Sequence, residues 1–156
     1  MDIYEKFFAN TLNFLSYRPR SEKEVRDHLF SKKSPTEFIS RIIQECKDKG
    51  FINDEKFVVW WIDQRNAFRP RGSRLIKLEL REKGISTEII NNVLSLIESS
   101  ETQLATAKAI IQKRVYKMQN IPFKELKEKL SQYLERKGFD YEIIRQAIDD
   151  LDGEEV

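Results

Sequence analysis

Apolar residues recur along the chain in stripes that share one spacing. They fall at Phe38, Ile39, Ile42, Ile43 and Cys46, at Ile89, Ile90, Val93, Leu94 and Ile97, and at Ile143, Ile144, Ala147, Ile148 and Leu151. An i, i+1, i+4, i+5, i+8 pattern is one buried face of an α-helix. A shorter stripe precedes each: Val25 with Leu29, Ile76 with Leu80, and Leu130 with Leu134. The first and second sets lie 51 residues apart, and the second and third 54. A period of about 50 residues with no room for strands predicts an all-α tandem array. The repeats divide the chain into 1–51, 52–99 and 100–156, each with three helices.

Local chemistry marks the helix ends. In the first repeat a helix over Tyr4–Ser16 is followed by Ser21-Glu22-Lys23-Glu24, which has the form of a capping box. Ser34-Pro35-Thr36-Glu37 repeats that form with proline at the first helical position, and opens a helix that runs to Lys49 before Gly50. In the second repeat Asn53-Asp54 starts a helix to Ala67, a short helix follows Gly72, and a third covers Ser86–Ile97. Gly84 stands where a left-handed C-terminal cap belongs. The third repeat reads as helices over Glu101–Gln119, Pro122–Lys137 and Asp140–Leu151, with fraying expected after Asp152. The first helices superpose poorly. At an offset of 51, Phe14 meets Arg65 and Leu12 meets Asp63, which implies a register shift.

Composition narrows the class. Charged residues make up 35% of 156, with only 5 glycines, which suits solvated helices. Cys46 is the single cysteine, so an internal disulfide and a cysteine-based zinc site are excluded. No apolar run is long enough to span a bilayer, and Met1 to Lys6 lack the pattern of a secretory leader. A soluble cytoplasmic protein without a membrane partner is expected, and a monomer. The net charge of +2 matters less than its distribution: Asp149, Asp150, Asp152, Glu154 and Glu155 crowd the end.

Candidate chemistry is sparse. His28 shares its repeat position with Glu79 and Tyr133, and reads as a solvated surface residue. Cys46 reads as core. Trp61 extends the Phe57 stripe and is expected in the core, whereas Trp60 is either a flank of that core or an exposed aromatic anchor. No phosphate loop, metal-ligand cluster or catalytic triad is visible, so no catalytic residue, metal or cofactor is expected. What the fold does not require is arginine. Tyr17-Arg18-Pro19-Arg20-Ser21 recurs as Phe68-Arg69-Pro70-Arg71-Gly72, and arginine offers a planar fork to carboxylate or phosphate. Arg18, Arg20, Arg65, Arg69, Arg71, Arg74, Lys77 and Arg81 are therefore the candidate partner-binding residues.

At these residues a family resemblance emerges. Gly50-Phe51-Ile52-Asn53-Asp54, Phe57, Trp61, Arg65, Pro70-Arg71-Gly72, Glu79-Leu80 and Lys83-Gly84-Ile85 resemble the central repeat of the RecX family. Arg18-Pro19-Arg20-Ser21-Glu22 and Leu29 resemble its first repeat. The third repeat departs from the pattern in lacking an Arg-Pro turn. The resemblance implies three three-helix units in an elongated, curved molecule and a bacterial modulator of the RecA recombinase. Such a modulator is a non-enzymatic inhibitor seated in the groove of the RecA–single-stranded DNA filament, with direct DNA contact open to it. Two rivals stand beside it: a general single-stranded nucleic-acid-binding array, and a helical scaffold for another acidic partner.

Overall fold

The computed structural model describes residues 2–154, with side chains through Leu151. Those residues form nine helices: α1 (Ile3–Tyr17), α2 (Glu22–Ser31), α3 (Thr36–Asp48), α4 (Asp54–Phe68), α5 (Ser73–Glu82), α6 (Thr87–Ile97), α7 (Ser100–Tyr116), α8 (Phe123–Arg136) and α9 (Tyr141–Glu154). No strand occurs among them. Fraying after Asp152 is not seen through Glu154, and Glu155 and Val156 lie outside the described residues.

The repeated stripes are the core. Val25, Leu29, Ile76, Leu80, Leu130 and Leu134 are fully buried, and Ile39, Ile42, Ile43, Cys46, Ile90, Val93, Leu94, Ile143, Ile144, Ala147 and Ile148 are buried to 9% exposure or less. At the last position of the stripe the copies differ: Cys46 is wholly buried, Leu151 half-buried and Ile97 42% exposed. Ile97 is the last residue of α6, whereas α3 continues past Cys46 to Asp48. Burial pushes the Cys46 thiol up to about 11, so the group is a core filler that stays protonated.

Caps explain most helix starts. Ser21 Oγ accepts the Glu24 N–H at 3.1 Å and a Glu24 carboxylate oxygen accepts the Ser21 N–H at 3.1 Å, which is the expected capping box. The second box does not form. Pro35 occupies the N-cap of α3, and the Ser34 hydroxyl donates to the Pro35 carbonyl instead. Asn53 caps α4 by accepting the Lys56 N–H at 3.0 Å, which leaves Asp54 to accept the Glu22 N–H at 2.9 Å.

The expected register shift between first helices is absent. Both α1 and α4 hold 15 residues, and their ends lie 51 apart. Residues of opposite character share a position because each has a matching partner on the second helix. Phe14 stacks on His28 with ring centroids 4.0 Å apart, and Arg65 pairs with Glu79 at 2.5 Å. Hydropathy alone misses such an exchange of an aromatic stack for an ion pair.

A junction recurs between repeats. The Ser21 hydroxyl donates to the Lys83 carbonyl at 2.7 Å. At the equivalent place the Gly72 N–H donates to the Lys137 carbonyl at 2.8 Å, and the Arg74 N–H to the Gly138 carbonyl at 3.2 Å. The turn before one second helix thus docks on the C-terminal cap of the next repeat's second helix. Gly84 and Gly138 have φ of 82° and 94°, the left-handed geometry that such caps demand. Packing divides the chain into two compact units, each holding one junction. One comprises the described part of Met1–Trp61 with Leu80–Val93; the other comprises Ile62–Glu79 with the described part of Leu94–Val156.

Candidate functional site

The eight basic candidates separate by what they touch. In the first unit Arg18 forms a fork with both carboxylate oxygens of Glu24, and its guanidinium lies 5.4 Å from the Trp60 ring. Lys83 reaches the same carboxylate at 3.6 Å and covers Trp61 at 5.4 Å. Burial drives the Glu24 pKa up, but Arg18, the Ser21 N–H and Lys83 together outweigh it and hold the group below the usual carboxylate value. Trp61 is therefore half-buried rather than fully in the core, and Trp60 likewise. The fully buried stripe of α4 is Phe57, Val58 and Ile62. Both indoles present a face to a cation, an arrangement worth about 0.5–1 kcal/mol where exposed.

The Arg20 guanidinium carbon lies over Phe14, 3.9 Å from the ring centroid, and Arg20 donates to the Phe14 carbonyl at 3.2 Å. Burial, then the neighbouring Arg18, holds its pKa below the ordinary arginine value. Arg81 is exposed and makes no ion pair among the described residues.

In the second unit Glu79 gathers Arg65 at 2.5 Å and Arg71 at 3.5 Å, and its side chain is only 15% exposed. Arg74 donates to the Glu135 carbonyl at 2.7 Å. Lys77 is exposed, and its charge lowers the Glu98 pKa against a larger rise caused by burial. Arg69 is exposed, with no ion pair among the described residues. Arg18, Arg65 and Arg71 thus do serve the fold, contrary to the expectation that it needs none of these arginines.

Position 28, 79 or 133 is a hub rather than a wet surface. His28, Glu79 and Tyr133 are each half-buried, and each holds a side chain from the end of its repeat's first helix: Phe14, Arg65 and Arg114. His28 Nε2 also lies 2.6 Å from Asn10 Oδ1. Burial, then Lys32 and Arg20, holds the imidazole below its usual 6.5. The neutral ring's contribution is intact above 6.5 and is lost as pH falls through the lower folded-state value, because the unfolded chain binds the proton first. His28→Gln should accordingly flatten the fall in melting temperature as pH drops below the usual 6.5 of the imidazole. Parallel curves for variant and parent would contradict this.

Two features escaped sequence reading. First, each repeat ends its first helix on an exposed aromatic: Tyr17 at 75%, Phe68 at 76% and Tyr116 at 80%. The signal was present, since Tyr17 and Phe68 directly precede the Arg-Pro turns. Second, Arg69 and Arg71 share a groove of about 460 Å³ with Lys113, Arg114, Lys117 and Lys137 from the third repeat. Lys113 and Lys117 stand four apart on one face of the helix end, but basic residues there are explained just as well by the helix dipole. No group of histidine, cysteine or carboxylate side chains among the described residues could hold a metal ion. No helix among them is long and apolar enough to cross a membrane.

Comparison with known proteins places this geometry. Models of the first, second and third three-helix domains of RecX match residues 8–46, 53–94 and 101–148. Regulatory protein RecX of Bacillus subtilis (strain 168) is 35% identical over 153 residues, covering 98% of this chain and 58% of that protein. Regulatory protein RecX of Streptococcus agalactiae serotype V is 37% identical over 142 residues, covering 90% and 54%. The chain therefore spans somewhat over half the length of the curated relatives it matches. The crystal structure of RecX from Lactobacillus salivarius superposes with a TM-score of 0.87 at 31% identity, covering 96% of both chains. An all-α array of three-helix domains, matched in sequence along nearly its whole length and in structure, identifies the chain as a member of the RecX family of regulatory proteins.

Proposed function

We propose that this chain is a non-enzymatic regulator, mainly an inhibitor, of the RecA recombinase. It acts as a monomer along the groove of the RecA–single-stranded DNA filament and so modulates recombination, DNA repair and the SOS response. The family resemblance supports RecA as the partner, and the observation that carries the reading is Arg69. It is the exposed member of the central Arg-Pro turn, without an ion pair among the described residues and next to the exposed Phe68. An aromatic beside an arginine is the composition of an interface anchor. Tyr17 and Tyr116 occupy the matching place in the other repeats. Of the eight basic candidates, Arg69, Lys77 and Arg81 are exposed without an ion pair among the described residues and can meet a partner's carboxylate or phosphate, whereas Arg18, Arg65 and Arg71 shape the turns. Modest contacts from successive repeats add through effective concentration where their spacing matches the filament.

The test is RecA ATP turnover on single-stranded DNA. Added chain should slow turnover at concentrations below those at which it binds bare single-stranded DNA at the same salt. Inhibition only where bare DNA is also bound would support a general nucleic-acid binder instead.

A further inference from the structure

The groove formed by the second-repeat turn with α7 and α8 carries chemistry beyond the Arg69 and Phe68 that the filament reading uses. Six cations line it, Arg69, Arg71, Lys113, Arg114, Lys117 and Lys137, and no carboxylate does. Five of them make no ion pair among the described residues. The sixth, Arg71, shares Glu79 with Arg65, and its Nε is buried without a hydrogen-bond partner. Like charges gathered in one concavity oppose folding unless something offsets them. Here the cations are also held in place. The Tyr133 ring has Arg114 at 4.3 Å and Lys137 at 5.4 Å, so an aromatic fixes two of them without neutralising either. Phe68, Ala109 and Ile110 add an apolar wall.

We propose that this groove binds an oligophosphate anion, as carried by a nucleoside triphosphate or by free inorganic triphosphate. Charge density favours this ligand. A nucleic-acid strand brings one charge per phosphate along an extended backbone, so a cavity of about 460 Å³ would take in about one or two of them. A triphosphate packs several into the same space. The volume also falls within the range of about 300–1,000 Å³ usual for small-molecule sites. The three arginine forks suit phosphate oxygens, the lysines act as point charges, and the apolar wall would seat a base if one is attached. This inference does not rest on the filament reading, and its test leaves Arg69 and Arg81 unchanged.

The test is calorimetric titration of the whole chain with inorganic triphosphate, a non-hydrolysable ATP analogue and a thymidine oligonucleotide. Lys113→Gln with Lys117→Gln removes two exposed groove cations. Lys6→Gln with Lys56→Gln removes the same net charge at exposed lysines that do not line the groove. Triphosphate should bind with one-to-one stoichiometry, about tenfold or more weaker in the groove variant but changed less than about twofold in the control. Tighter binding of the analogue would identify a nucleoside triphosphate, and equal binding the free anion. Three results would overturn the proposal: no saturable binding of either anion, equal losses in both variants, or an oligonucleotide that fills the groove and is not displaced by triphosphate. Melting curves check that both variants fold, and Lys117→Gln alone replaces the double variant if its curve shifts.

Discussion

Gly72→Ala should destabilise the unit built from Ile62–Glu79 and the described part of Leu94–Val156 by more than about 4 kcal/mol, beyond the ordinary range for one substitution. Gly72 is buried, and a Cβ there would sit 2.3 Å from both the carbonyl carbon and the oxygen of Gly138, and 2.5 Å from the Phe139 nitrogen. All three are backbone atoms, so no rotamer change relieves the contact. Moving the turn away would break the bonds from the Gly72 and Arg74 N–H groups to the end of α8. The buried groups left unpaired would each cost about 1–3 kcal/mol. Hydrogen exchange should speed up at amides of α8, while those of α2 and α3, in the other unit, keep their protection. A melting curve superimposable on that of the parent chain would mean that the junction is not tightly packed.

The same junction shows what could be read from sequence and what could not. Helix number and the buried second- and third-helix faces were legible because each pattern occurs three times, and repetition filters out chance spacing. The Ser21 capping box and the Gly84 cap were legible because their chemistry is local. Contacts between repeats were not. Nothing in Pro70-Arg71-Gly72 discloses that its glycine must fit against Gly138, 66 residues on. The first-helix register was misjudged because Phe14 and Arg65 differ in polarity while facing equivalent partners. Ile97 was misjudged because α6 stops sooner than α3. The basic site was half legible. The Arg-Pro turns drew attention to Arg69 and Arg71, but Lys113, Arg114, Lys117 and Lys137 join them only through the fold. Several of the most conspicuous arginines proved to be tied to Glu24 and Glu79.

Arg69→Glu should abolish most of the proposed inhibition of RecA while leaving the fold intact. The side chain is exposed and has no ion pair among the described residues, so reversal disturbs no internal contact, and surface changes of this kind stay within about 0.5 kcal/mol. Arg71 is a poorer probe, since its reversal would set a carboxylate against Glu79 at the 3.5 Å the guanidinium now spans. If Arg69 meets carboxylates on RecA, a like charge in its place costs several kcal/mol at the interface. If it meets only phosphate, the variant loses one contact, and the salt slope of binding to single strands flattens by about 0.7. Salt dependence alone does not separate the two, because both contacts are screened over about 8 Å at physiological ionic strength. The ratio of two losses does. Inhibition of RecA ATP turnover and affinity for bare single-stranded DNA, measured for Arg69→Glu and parent at one salt concentration, test the filament reading most directly. The loss of inhibition should exceed the loss of DNA affinity by about tenfold or more; equal losses, or inhibition left intact, would contradict it.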